Sequence, residues 1–116
     1  ITRWFTPETC AKNPPQLDKI RNMLRTTNPV GHEGCCEALK KLAFGAGLSN
    51  ISIPTLIIGG AQDKGAPPDV LAEAANAIPD SKHVVVDDAG HIANIENPHA
   101  VNTALSKFLD NIQHKT

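Results

Sequence analysis

Thr55-Leu56-Ile57-Ile58-Gly59-Gly60-Ala61-Gln62-Asp63 and His83-Val84-Val85-Val86-Asp87-Asp88-Ala89-Gly90-His91 decide the reading of this chain. Each opens as a short apolar run and closes in a loop bearing a side chain that can hold or move a proton. Thr55 to Ile58 and His83 to Val86 show no polar alternation, the pattern of parallel strands covered on both faces. Between them Pro67-Pro68 opens a helix, because the first helical turn has no use for the amide that proline lacks. Val70, Leu71, Ala74, Ala75 and Ile78 make its expected buried face, and Pro79 closes it. Strand, helix, strand of this length is a βαβ unit, so the two strands are expected to run parallel.

Working outward, Asn97-Pro98 caps and starts a last helix whose apolar stripe is Val101, Leu105, Phe108, Leu109 and Ile112. Upstream the period is helical throughout. Pro14-Pro15 starts one helix, with Leu17, Ile20 and Leu24 on one face and Met23 flanking it. Asn28-Pro29 starts another, with Cys35, Cys36, Leu39 and Leu42 as its stripe and Gly45 and Gly47 as its end. The expected fold class is α/β, with helices over residues 1–50 and β-α-β-α over 51–116. Two strands do not make a stable open sheet, since both outer edges expose unpaired amides and carbonyls. Strands from another segment, or from a second copy of the chain, are expected to complete it. A start at Ile1 without methionine fits a fragment, a processed chain or a trimmed one.

Composition narrows the function classes. Eleven Lys and Arg against twelve Asp and Glu give a formal charge of −1, with both signs mixed along the chain. No basic stripe suits a phosphate backbone, so nucleic acid is not an expected partner. No apolar run approaches the length of a membrane span. One Trp, three Phe and no Tyr leave the core to Leu, Ile, Val and Ala. Cys10, Cys35 and Cys36 are odd in number and include a vicinal pair, a poor disulfide framework. They are expected to be reduced and partly buried, which points to a cytoplasmic setting. No Cys-x-x-Cys spacing suggests zinc. His32, His83, His99 and His114 lack metal-ligand spacing and are expected at the surface.

The chemistry converges on two residues. Parallel strands place their carboxyl ends on one edge, where open α/β sheets bind ligands. Asp63 follows one such end and His91 the other, on strands expected about 5 Å apart. A carboxylate holding one imidazole nitrogen frees the other to act as general base. Taken singly, Asp63 among Gly, Gln and Lys reads first as a turn residue, and His91 as an ordinary loop histidine. Asp followed by His on successive strand ends is the order of a catalytic triad. Asp87 and Asp88 compete as the acid, although turn or cap roles suit them better. The third member is not in these residues, because no Gly-x-Ser-x-Gly turn occurs.

Ile53-Pro54-Thr55-Leu56-Ile57-Ile58-Gly59-Gly60, with Asp63 and Pro67-Pro68, resembles the strand-and-acid segment of α/β-hydrolases. Ala89-Gly90-His91-Ile92-Ala93-Asn94-Ile95-Glu96-Asn97-Pro98 resembles their histidine loop. Arg3-Trp4-Phe5-Thr6-Pro7-Glu8 and Gly31-His32-Glu33-Gly34-Cys35-Cys36-Glu37-Ala38-Leu39 are similar to the cap of 3-oxoadipate enol-lactonases. Ala43 stands where that branch usually carries an acidic residue. The resemblance implies the C-terminal half of an α/β-hydrolase, with residues 1–50 as cap or lid and 51–116 as core. It implies Asp63 as triad acid, His91 as triad base, and a serine and oxyanion hole on a segment before residue 1. It implies cleavage of an unsaturated lactone in aromatic-compound breakdown, without a cofactor or metal. Trp4 would line the substrate pocket, and Arg3 or Arg25 would meet a substrate carboxylate. An anchoring role for Trp4 and a solvated surface role for each Arg stand beside those readings. Other classes remain: a non-enzymatic, self-associating domain, or an esterase, haloperoxidase or dehalogenase on the same fold.

Overall fold

Proline and its preceding cap set most helix starts in the computed structural model, which describes residues 1–43 and 45–113. Thr6 caps α1 (Pro7–Lys12), its hydroxyl oxygen accepting from the Thr9 N–H at 3.2 Å. α2 (Gln16–Thr26) follows Pro14-Pro15. Asn28 caps α3 (Pro29–Lys40) by accepting from the N–H groups of Val30 and Gly31. A 3-10 helix follows over Gly45–Asn50. Then come β1 (Thr55–Gly60), α4 (Pro68–Ala77), β2 (Ser81–Val86), the single turn α5 (Ala93–Glu96) and α6 (Pro98–Gln113). The side chain of Asn97 accepts from the Ala100 N–H and so caps α6.

β1 and β2 pair in parallel, with Thr55 opposite Ser81 and Gly60 opposite Val86. Successive strand residues point to opposite faces. Ile58 of β1 and Ala100 and Val101 of α6 pack against a buried cluster of Val86, Ala89 and Ala93. A side chain at its neighbour Gly59 would instead meet Leu71 of α4. α4 and α6 therefore cover opposite faces of the sheet. This is the βαβ unit that the apolar runs imply, but its cover is partial: most strand residues are half-buried and Val85 is exposed.

The boundaries differ from the periodicity in informative ways. β1 runs on through Gly59-Gly60 and β2 begins at Ser81, because ladder pairing rather than side-chain polarity sets strand length. α3 stops at Lys40, before Leu42, and the Gly45–Asn50 stretch forms the 3-10 helix instead of merely ending a helix. Leu39 and Leu42 are exposed, as are Val70 of α4 and Leu105 and Leu109 of α6. Periodicity shows which helix face is apolar, while burial needs a second layer to meet it. Leu17 is fully enclosed, but Met23 and Leu24 on the same helix are open. Cys10 and Cys36 are half-buried free thiols, and Cys35 is exposed. His83 is half-buried, with Nε2 enclosed and no partner for it among the described residues. It sits in the middle of β2, opposite Ile57, and not at the surface. His114 lies outside the described residues. No helix among them is long and apolar enough to cross a membrane.

Candidate active site

The carboxyl ends of β1 and β2 are tied together before their loops diverge. Ala61 N–H donates to Val86 O at 2.9 Å, and Gln62 N–H donates to Ala89 O at 2.9 Å. The two loops touch at Gly60, where any Cβ would collide with the carbonyl oxygens of Ala89 and Gly90. Glycine is needed there for close approach, which brings Asp63 and His91 to one rim. His91 Nδ1 lies 2.9 Å from Asp63 Oδ2.

The two partners have unlike surroundings. The Asp63 side chain is 5% exposed and that of His91 46%. The second carboxylate oxygen of Asp63, Oδ1, accepts from the N–H groups of Gly65 at 2.7 Å and Ala66 at 3.1 Å. One oxygen is thus pinned by its own turn and the other is aimed at the ring. Burial alone would raise the Asp63 carboxyl. The hydrogen bonds from His91, Gly65 and Ala66 outweigh it and hold the group below its ordinary value. An ionised Asp63 accepts only, so Nδ1 carries the proton and donates, which leaves Nε2 as the ring's free acceptor. Asp87 and Asp88 are exposed and do not meet the imidazole. Asp88 adopts the left-handed conformation, with φ of 55°, and its role is to turn the chain after β2.

His91 opens onto a cavity of about 380 Å³ lined by Ile1, Thr2, Arg3, Trp4, Leu24 and Gly65. A second cavity, of about 620 Å³, shares Trp4 and Leu24 as walls and is bounded by Ile20, Met23, Thr27, Pro29, His32 and Ile92. Arg3 and Trp4 thus stand beside His91. Trp4 also has an anchoring contact, its carbonyl accepting from the Ile92 N–H at 3.2 Å. Arg25 is exposed on α2 and is not among the residues lining either cavity. Sequence reasoning gave no part to Gly65, although Asp-x-Gly is a turn signal, nor to Glu96, whose contacts are distant in sequence. Among the described residues no group of three or more His, Cys, Asp or Glu side chains is arranged to hold a metal ion.

A family model for the alpha/beta hydrolase fold matches residues 8–98. The chain is 36% identical over 110 residues to 3-oxoadipate enol-lactonase 2 of Acinetobacter baylyi, covering 93% of this chain and 40% of that protein. The crystal structure of the enol-lactonase from Burkholderia xenovorans matches with a TM-score of 0.88 and 33% identity, over 93% of this chain and 41% of that one. A thermophilic esterase from Thermogutta terrifontis matches with a TM-score of 0.87 and 30% identity, over 95% and 41%. The chain belongs to the α/β-hydrolase-fold family. It spans about two fifths of the length of these relatives and carries two parallel strands of the fold with the helices around them.

Proposed function

We propose that this chain supplies the acid and the base of a serine-type hydrolase acting on a small lactone or carboxylic ester, with an enol-lactone of the 3-oxoadipate type as the favoured substrate. The observation that carries the reading is the Asp63–His91 pair, 2.9 Å apart at the carboxyl ends of two parallel strands and facing a cavity. The similarity to enol-lactonases over 93% of the chain supports the substrate class.

In this reading Asp63 holds the Nδ1 proton and stabilises the positive charge that develops on the ring. Nε2 takes the proton of a serine hydroxyl as its oxygen attacks the carbonyl carbon. Collapse of the tetrahedral adduct breaks the carbon–oxygen bond of the ester, and His91 returns the proton to the leaving oxygen. For an enol-lactone that oxygen departs as an enol, which tautomerises to a ketone. His91 then takes a proton from water as the water oxygen attacks the acyl carbon, and it returns that proton to the serine oxygen as the acyl–serine bond breaks and the acid is released. The serine and the oxyanion donors come from polypeptide outside these residues. Residues 1–50 act as the cap and 51–116 as part of the core. Of the two arginines, Arg3, which lines the cavity beside His91, pairs with a substrate carboxylate rather than Arg25, and Trp4 forms a wall. Free thiols suit a cytoplasmic, reducing setting.

The test is reconstitution. These 116 residues alone are expected to hydrolyse neither enol-lactones nor p-nitrophenyl esters. Co-expression with a polypeptide bearing a Gly-x-Ser-x-Gly turn is expected to restore turnover that His91→Ala abolishes. Turnover by the chain alone, blocked by a fluorophosphonate, would contradict the assignment.

A further inference from the structure

Glu96, the last residue of α5, touches two segments that are far apart in sequence. Its Oε1 accepts from the Thr6 N–H at 2.8 Å and from the Thr6 hydroxyl at 2.8 Å. Its Oε2 accepts from the Gly90 N–H at 2.6 Å. One carboxylate therefore bridges the segment that begins the chain and the amide just before His91. The amide just after His91 is held from the same side, with Ile92 N–H donating to Trp4 O. The fit is close. A Cβ at Gly90 would lie 2.9 Å from Trp4 O and 3.1 Å from Glu96 Oε2.

We propose that Glu96 is a positioning residue for His91: it clamps the loop carrying the imidazole to the segment carrying Arg3 and Trp4, so that the base and the cavity wall beside it keep one geometry. This rests on the reading of His91 as general base. The chemistry calls for a carboxylate specifically. Both backbone partners are N–H groups and only donate. The Thr6 hydroxyl accepts from the Thr9 N–H at the cap of α1, and Oε1 at 2.8 Å is the nearer of two acceptors for its proton, the Thr9 hydroxyl lying at 3.0 Å. Glutamine has the same shape but offers one acceptor and one donor. It satisfies one arm and confronts the other with N–H against N–H, leaving a buried donor unpaired. The electrostatics agree. Burial would raise the Glu96 carboxyl, and hydrogen bonds from Thr9, Gly90 and Thr6 bring it below its ordinary value.

The test compares Glu96→Gln with the unsubstituted full chain by amide hydrogen exchange, alongside kcat and KM for ester hydrolysis in the reconstituted enzyme. Exchange at Gly90 or Thr6 is expected to speed up about tenfold or more while the amides of β1 and β2 keep their protection. kcat is expected to fall about tenfold, with a smaller change in KM. Gly90→Ala, which pries the same segments apart without altering the carboxylate, is expected to give the same pattern. Uniform acceleration across the strands, or unchanged exchange at both Gly90 and Thr6, would overturn the clamp. Exchange is read without any turnover, so the two failures separate. Full activity in His91→Ala would remove the base assignment. An inactive His91→Ala beside a Glu96→Gln protein with unchanged exchange and kcat would remove only the clamp.

Discussion

The rim at the ends of β1 and β2 and the helices α2 and α3 are built on opposite plans. At the rim, backbone hydrogen bonds run from loop to loop, both oxygens of Asp63 are engaged, and one glycine sets the spacing. α2 rests on a single enclosed side chain, Leu17, and α3 buries none. Val30 and Leu39 of α3 are 76% and 63% exposed. Yet the larger cavity draws most of its walls from these two helices and the loop between them. Asp63 and His91 sit where the chain is over-determined, and the apolar walls sit where little constrains it. In the hydrolase reading this separates two tasks: the dyad tolerates no ångström-scale drift, while the walls can adjust to a substrate.

Breaking the rim is expected to have the largest effect. Asp63→Asn or His91→Ala in the reconstituted enzyme should lower kcat about ten-thousandfold, with the fold retained by circular dichroism. A loss of only a few fold would place the chemistry elsewhere. Next comes Leu17→Ala, which removes the single buried anchor of α2. It should cost about 2–5 kcal/mol in denaturant unfolding. Gly60→Ala forces the two loops apart and should cost about 1–3 kcal/mol. It should also weaken the Asp63–His91 contact, which Leu17→Ala should leave intact. At the small end, Leu39→Lys on α3 should stay within about 0.5 kcal/mol of the parent. A larger loss would mean that α3 is covered in solution and would erase the contrast.

Acid sharpens the same comparison. Asp63 and Glu96 titrate lower in the folded chain than in the unfolded one. The unfolded state therefore takes up their protons first as pH falls. The stability they confer is fully present above the ordinary carboxylate value of about 4, and it is lost as pH drops through their depressed folded values. Urea midpoints should be flat from neutrality to about pH 5 and then decline. Asp63→Asn and Glu96→Gln should each make that decline shallower.

Much of this layout is legible in the chain. The unalternating runs at Thr55 and His83, with Pro67-Pro68 between them, imply two parallel strands and their crossover helix. The order Asp63 then His91 follows from that topology. Three kinds of feature resist such reading. Short elements such as α5 and the 3-10 helix carry too few residues for a period to show. Exposure of Val70, Leu39 and Leu105 depends on what packs against a helix face, which the face itself does not encode. The Glu96–Thr6 contact joins residues 90 positions apart through hydrogen bonds, and no local pattern announces it.

Nitrogen-edited NMR of the His91 ring tests the dyad most directly. A proton resident on Nδ1, strongly downfield and lost in Asp63→Asn, is the result expected of an imidazole held by that carboxylate. A ring protonated on Nε2, or one whose signals ignore Asp63→Asn, would contradict it.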